Sequence, residues 1–405
     1  MRSNDTNGVQ AWRTQLPVLV FESQVIGAIA IIRSLGRAGY PVHACARFQD
    51  ALGLLSTYAD NRVVCPDYDA DEFLPWLRQY IEHYNIRAII PSEGFLLAVR
   101  SSFSEFAHLF PVCEQENILY SGMSKFDLFV SLLENGACTE TGAHLPPSLL
   151  VADMADIPSR EALEKLGAPL YIKMDGCYSV GGEGGFVYKA ASAVEAAKKL
   201  ERLASRFRKA LIQEYVPGQG VGAFFLLWQG QLLAQFMHRR LHEVPYTGGV
   251  SSFRESWWHA AIRDDALTKL QALGWHGVAM MEYRWDKATD QFYLMEMNGR
   301  FWGSLHLALY AGVDFPLLLL DAFHGHLPLS VKEFPQGIRC RLTFPREIQY
   351  VWSRLKDSQL SYLSRLWSLV EFFQLSLDPR IYSDLFFPGD TKLYWESIKR
   401  FLRNP

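Results

Sequence analysis

Short, wholly apolar runs alternate with amphipathic stretches along the first part of the chain. PVLVF from Pro17, PVHAC from Pro41, RVVC from Arg62 and RAII from Arg87 read as buried strands. Between them, Ser23 to Tyr40, with Ile26, Ile29 and Ile32 on one face, and ADEFLPWLRQYIEHYN read as helices. That alternation predicts a doubly wound parallel α/β sheet. The first turn, ESQVIG, lacks the glycines that cradle a dinucleotide pyrophosphate, which argues against a dinucleotide-dependent oxidoreductase. Glu93 follows a strand end, where such sheets bind ligands, and reads either as a substrate contact or as the acid of a helix N-terminus.

A second region begins near Ser121. Lys125 opens the helical pattern SKFDLFVSLLENG, which closes at Gly136. PLYIK is a strand ending in Lys173, and the following MDGCYSVGGEGGFVYKA returns to a strand pattern. Gly181, Gly182, Gly184 and Gly185 let backbone amides turn toward an anion, and a nearby ammonium would neutralise phosphate charge. With no GK[ST] and no following helix this is not a Walker loop; a glycine-rich loop between strands is a flap. The strand LIQEYV runs into Pro217-Gly218, where backbone groups would be free to meet an adenine edge. AFFLLWQGQLLAQFMH is a hairpin about Gln229-Gly230, and His238, Arg239 and Arg240 follow as candidates to hold an anionic group.

The most informative stretch is VAMMEYRWDKATDQFYLMEMNGRFWGS, two apolar strands joined by the turn-prone DKATDQ. A symmetric pairing about Thr289 sets Glu282 opposite Glu296, while Glu296 and Asn298 share one face and Met295 and Met297 the other. Facing carboxylates repel unless something positive lies between them. A hard divalent cation, completed by substrate phosphates, meets that need. Ser304 is placed to cap a helix that ends at Gly312.

Composition narrows the field. The 405 residues carry a net charge of -3 with no basic, aromatic-interleaved stripe, so nucleic acid is not an expected partner. The six cysteines form no CxxC pair, which speaks against zinc and a disulfide framework and fits a reducing cytosol. The most apolar late run, Leu305 to Phe323, is broken by Asp314 and Pro316, so no membrane span is expected. From about Gly337 the chain reads as mostly helical and aromatic-rich, with Trp352, Leu355, Tyr362 and Trp367 in segments of mixed helical spacing. This extension is expected to pack on the body as a satellite core; the alternative is a membrane-surface or partner-binding role. His324 and His326 are too isolated to be assigned to a metal.

Taken in this order, the features resemble the ATP-grasp superfamily, close to its carbamoyl-phosphate-synthase-like and pyrrolysine-biosynthesis-ligase branch, over nearly the whole chain. The resemblance implies a disordered tail (1–15), a pre-ATP-grasp domain (16–121), a two-lobed ATP-grasp domain (122–330, flap-bearing lobe about 145–216) and a helical extension (331–405). Lys125 and Lys173 match the phosphate-facing lysines and GGEGG the flap. QEYV matches the hinge strand, placing Gln213, Glu214, Tyr215 and Val216 beside adenine, with Glu214 and Val216 offering backbone groups. Glu282, Glu296 and Asn298 match the ligands of Mg2+ or Mn2+, and Arg300 the arginine after them, in a run similar to E-x-N-P-R. Met174 and Gly299 stand where prolines are usual, and the family's ribose-binding acid has no counterpart in GQGVG.

The implied function is an ADP-forming ligase that joins a small carboxylate and an amine, such as an amino acid, through an acyl phosphate. Arg300, and Arg240 or His238, are its candidate catalytic residues. A homodimer would be unsurprising. Alternatives are bicarbonate activation, against which stands the absence of amidotransferase and biotin-carrier segments, and a nucleotide-binding scaffold without turnover.

Overall fold

The protein is described from a computed structural model, and the described residues are 10–134, 144–181, 184–246, 248–327 and 333–403. The chain divides into two compact units. One comprises Met1–Val112, Phe225–Trp258 and Arg300–Pro405, the other Cys113–Phe224 and His259–Gly299. Gly182 and Gly136 lie outside the described residues.

The first unit opens with β1 (Val18–Val20), α1 (Ile26–Arg37), β2 (Val42–Ala46), β3 (Asn61–Val64), α2 (Phe73–Tyr84), β4 (Ala88–Ile90), α3 (Glu93–Ala98) and α4 (Phe103–Phe106). The strands pair in parallel in the order β3-β2-β1-β4, as the apolar runs predict. Helix α1 departs from the one-sided burial expected of it. Ile29, Ile31, Ile32, Leu35 and even Arg33 are buried, because later parts of the chain cover its far side.

The second unit continues with α5 (Glu116–Met123), α6 (Lys125–Glu134), β5 (Ser148–Val151), α7 (Arg160–Lys165), β6 (Leu170–Met174), β7 (Phe186–Ala190), α8 (Ala193–Leu203) and β8 (Ala210–Glu214). Its antiparallel sheet, ordered β5-β8-β6-β7, packs Ile172 and Ile212 against Leu163 and Leu200. Ser192 starts α8 by accepting from the Glu195 N–H at 3.2 Å, and Ala193, Ala196, Leu200 and Leu203 then fall on its buried face.

Strand β9 (Gln219–Trp228) carries the chain back toward the first unit. Gln229 and Gly230, both at positive φ, turn it into β10 (Gln231–Val244), which pairs with β11 (Val250–Ser256). Then α9 (Ala260–Ala272), β12 (Gly277–Trp285) and β13 (Phe292–Asn298) complete the second unit. The chain closes in the first with α10 (Leu305–Tyr310), α11 (Phe315–Phe323), β14 (Arg339–Arg341), α12 (Ile348–Lys356), α13 (Tyr362–Leu377), β15 (Ile381–Ser383) and α14 (Lys392–Arg403).

One expectation changes here and two gain detail. Residues 11–15, read as part of a disordered tail, form a 3-10 turn: Arg13 Nε donates to Asp321 Oδ1 at 3.0 Å and Trp12 stacks on His326. The C-terminal extension is mostly helical, as expected, and adds two short strands, β14 pairing with β11 and β15 with β14. Leu342, Leu385 and Leu393 of the extension do form a satellite core with Ile29 of α1, as expected, but α13 stays outside it. Ser368 is the one buried residue of α13, whereas Trp367 is 57% and Leu377 83% exposed.

Candidate active site

Glu282 pairs with Glu296 across the β12–β13 ladder, the register predicted from the turn. Toward the turn the register shifts by one, so that Tyr283 faces Leu294 and Met295 is left over as a bulge. Bulges re-aim backbone groups near functional sites, and this one has a visible consequence. The freed carbonyl of Met295 accepts a hydrogen bond from Lys173 Nζ at 2.8 Å.

Lys173 stands on β6 and is 5% exposed. Burial lowers its pKa, Glu296 and Glu282 oppose the shift, Lys125 and Arg284 add to it, and the result is about 8. Lys125, the first residue of α6, pairs with Glu296 Oε2 at 2.8 Å, and Asn298 Nδ2 donates to Glu296 Oε1 at 3.4 Å. For Glu296, burial pushes the carboxyl up, but the Lys125 and Lys173 ammoniums outweigh it and hold it at about 2. The carboxylate is thus ionised at any working pH.

An acid overlooked in the sequence fixes this geometry. Asp175, 4% exposed and two residues beyond Lys173, accepts from Ser124 Oγ at 2.6 Å, from the Phe126 N–H at 3.1 Å and from the Cys177 N–H at 2.9 Å. It ties the start of α6 to the end of β6, and therefore holds the two lysines in register. Its signal was an aspartate directly after a strand, a common cap of a following turn. Trp275 is a second residue the pattern did not reveal. Its ring lies where a Cβ on Gly122 or Gly299 would fall, which supplies a physical reason for glycine at 299 in place of proline.

The loop between β6 and β7 is a flap in topology, since those strands pair from Leu170↔Ala190 to Met174↔Phe186. Gly181 and Gly184 have open space around them, whereas a Cβ on Gly185 would crowd the Met174 carbonyl and the Gly176 N–H. On β8, Gln213 is fully buried; its Nε2 donates to Ser148 Oγ at 3.1 Å and its Oε1 has no partner. The Glu214 N–H is already given to the Pro147 carbonyl and that of Tyr215 to Pro169, so neither is offered to a ligand. Tyr215 itself is exposed and stacks on Tyr171, and Val216 is 9% exposed.

The remaining candidates belong to the first unit. Arg300 Nε donates to Glu93 Oε2 at 3.1 Å, linking the two residues singled out at the strand ends. His238, 1% exposed, shares a 2.8 Å hydrogen bond with Ser304 Oγ, and burial, Arg240 and Arg254 keep its pKa well below the ordinary value, so it is neutral. Ser304 does not cap α10, since its hydroxyl is turned to His238. Arg240 is held by Glu243 and by the Gly249 carbonyl at 3.0 Å.

Among the described residues, no group of three or more His, Cys, Asp or Glu side chains could hold a metal alone. Two carboxylates facing across a ladder with an amide beside them, and an ammonium already on one of them, still suit a magnesium ion that takes its other ligands from phosphate and water.

Residues 206–343 match the family described as ATP-grasp in the biosynthetic pathway with Ter operon. Similar solved structures include the L-amino acid ligase from Bacillus licheniformis, 15% identical with TM-score 0.56 over 76% of this chain and 74% of that one. The biotin carboxylase from Campylobacter jejuni is 16% identical with TM-score 0.60, over 80% and 75%. The N5-carboxyaminoimidazole synthetase from Staphylococcus aureus is 16% identical with TM-score 0.56, over 79% and 80%. No curated protein matches in sequence.

Proposed function

The chain has the ATP-grasp fold, and from that premise we propose that it is an ADP-forming ligase joining a carboxylate to an amine. The observation that carries the reading is the cluster of Lys125, Lys173 and Glu296 within one unit, with Glu282 opposite and Asn298 beside.

Lys125 and Lys173 meet the triphosphate, while Glu282, Glu296 and Asn298 hold Mg2+ or Mn2+, which when bound supplies charge neutralisation at the phosphates. Gln213 to Val216 border the adenine, with the unpartnered Gln213 Oε1 as an acceptor for an amino group. The loop of Gly181, Gly182, Gly184 and Gly185 covers the phosphates and excludes water, which matters because an acyl phosphate hydrolyses. A carboxylate oxygen attacks the γ-phosphorus and ADP leaves. The amine then attacks the acyl carbon, phosphate leaves, and loss of a proton gives the amide. To Arg300, which follows the Glu296–Asn298 segment in sequence, we assign the charge developing on the transferred group. The neutral His238, or Arg240 if it leaves Glu243 and the Gly249 carbonyl, is assigned to the substrate carboxylate or the oxyanion.

The test is magnesium-dependent ADP release across a panel of amino acids, small carboxylic acids and bicarbonate, with Glu296→Gln in parallel. We expect release that requires one acid and one amine and falls by at least about two orders of magnitude in the variant. Release with bicarbonate alone would move the protein to the carboxylase class. ATP binding without turnover on any combination would favour a scaffold.

A further inference from the structure

Helix α13 is built inside out. Its inner side is largely polar: Arg354 of α12 donates to Ser368 Oγ at 2.7 Å and to Ser364 Oγ at 3.0 Å, and Glu371 lies 3.6 Å from His242 Nε2, with half-buried Phe372 and Leu375 beside them. Its outer side carries Leu363, Leu366, Trp367, Val370, Phe373 and Leu377, spaced by three and four residues so that they share one face, and all are exposed. No charged residue interrupts that stripe; the helix's two charged side chains, Arg365 and Glu371, are both turned away from it. On α12, Trp352 is exposed as well, with Lys356 Nζ 4.9 Å from its ring. Water-exposed apolar area of this kind marks a docking surface.

The charges of the same C-terminal segment point to the partner. Between residues 343 and 403 no aspartate or glutamate is exposed, whereas Lys356, Lys392 and Arg403 are, as are Arg380 and Lys399, which pair with the half-buried Asp378 and Glu396. The acids are turned in and paired, as with Asp378 to Arg339, Asp384 to Arg254 and Asp390 to Arg33. A twofold contact between two copies would set this patch against itself and bring like charges together. A surface of anionic headgroups over acyl chains complements both the cations and the stripe. At 16 residues α13 is about 24 Å long, short of a bilayer core, and no described helix is long and apolar enough to cross a membrane.

We propose that α13 docks the protein on an anionic lipid bilayer, lying in the interface plane with Leu363, Trp367 and Phe373 inserted. The docking is independent of the ligase reading.

The test is flotation of the full-length protein with vesicles of phosphatidylcholine alone or with about one-third phosphatidylglycerol. We expect flotation with the anionic vesicles, weakened by salt, and at least about a tenfold loss of partitioning in Trp367→Glu and in Phe373→Glu. Lys356→Glu combined with Lys399→Glu should also lower it several-fold. These positions are exposed, so circular dichroism of each variant should match the parent. No flotation with either vesicle, or flotation unchanged in the variants, overturns the proposal. A concentration-dependent dimer that the variants abolish, in protein that does not float, assigns the face to a second copy instead.

Discussion

Two clusters of enclosed charge, one in each unit, are built from similar ingredients to opposite ends. In the first unit Arg33 Nε donates to Asp390 at 2.8 Å, Arg254 grips Asp384, and His306 completes the set, all no more than 1% exposed. Burial and Arg33 push the His306 pKa down to about 3, so each arginine meets one carboxylate around a neutral ring. In the second unit the cations are lysines, the side chains of Lys125 and Glu296 are 29% and 25% exposed, and two acids face each other. Arginine forks lock carboxylates in place, whereas lysines are point charges that can leave a carboxylate for a phosphate. The first cluster is a clamp between α1 and the C-terminal extension; the second is the one proposed as a ligand site.

The largest expected effect tests the clamp. Asp390→Ala strands a buried guanidinium and should cost about 3–5 kcal/mol in denaturant unfolding. Replacing both partners, Arg33→Met with Asp390→Leu, should recover much of the loss. A double variant as unstable as the single one would mean that the pair's charge is itself needed. Next in size are changes to what frames the second cluster. Asp175→Ala leaves the Ser124, Phe126 and Cys177 donors unpaired and should cost about 1–3 kcal/mol. It should also weaken ATP binding measured by calorimetry, because Lys125 loses its anchor. Gly299→Ala forces a methyl group onto Trp275 and should cost about 1–3 kcal/mol in the same unfolding assay.

A smaller effect separates the clamp from the C-terminal helices. Burial lowers the His242 pKa, but hydrogen bonds to Glu347 and Glu371 outweigh it and raise it to about 8. A folded pKa above the ordinary one gives stability that is complete below about 6.5 and fades as pH rises through about 8, about 1–2 kcal/mol in all. Urea midpoints across that window should fall in the parent and stay flat in His242→Gln. Hydrogen exchange should quicken first in α12 and α13.

Much of the fold was legible because it rests on local patterns. Buried parallel strands leave uninterrupted apolar runs, and the turn between β12 and β13 dictated the facing of Glu282 and Glu296. What stayed hidden depends on contacts distant in sequence. Nothing around Met295 signals a bulge, since no glycine marks it, and the burial of Arg33 depends on residues some 350 positions away. Arg240, expected to hold an anion, is already engaged by Glu243 and Gly249, a bond that a loop sequence does not announce. The C-terminal segments read as helical and aromatic-rich, but neither the apolar stripe of α13 nor its direction was read from them, and the serines opposite it were the overlooked clue.

The central claim, that the second cluster is a ligand site and not a clamp, is tested most directly by thermal unfolding of Glu282→Gln with and without ATP and magnesium. Removing one of two facing acids relieves a repulsion, so the ligand-free variant should melt at or above the parent's temperature. The parent's rise on adding the nucleotide, about 2.7 kcal/mol at a hundredfold excess over Kd, should disappear in the variant. A variant that melts well below the parent yet keeps the full nucleotide shift would contradict the account.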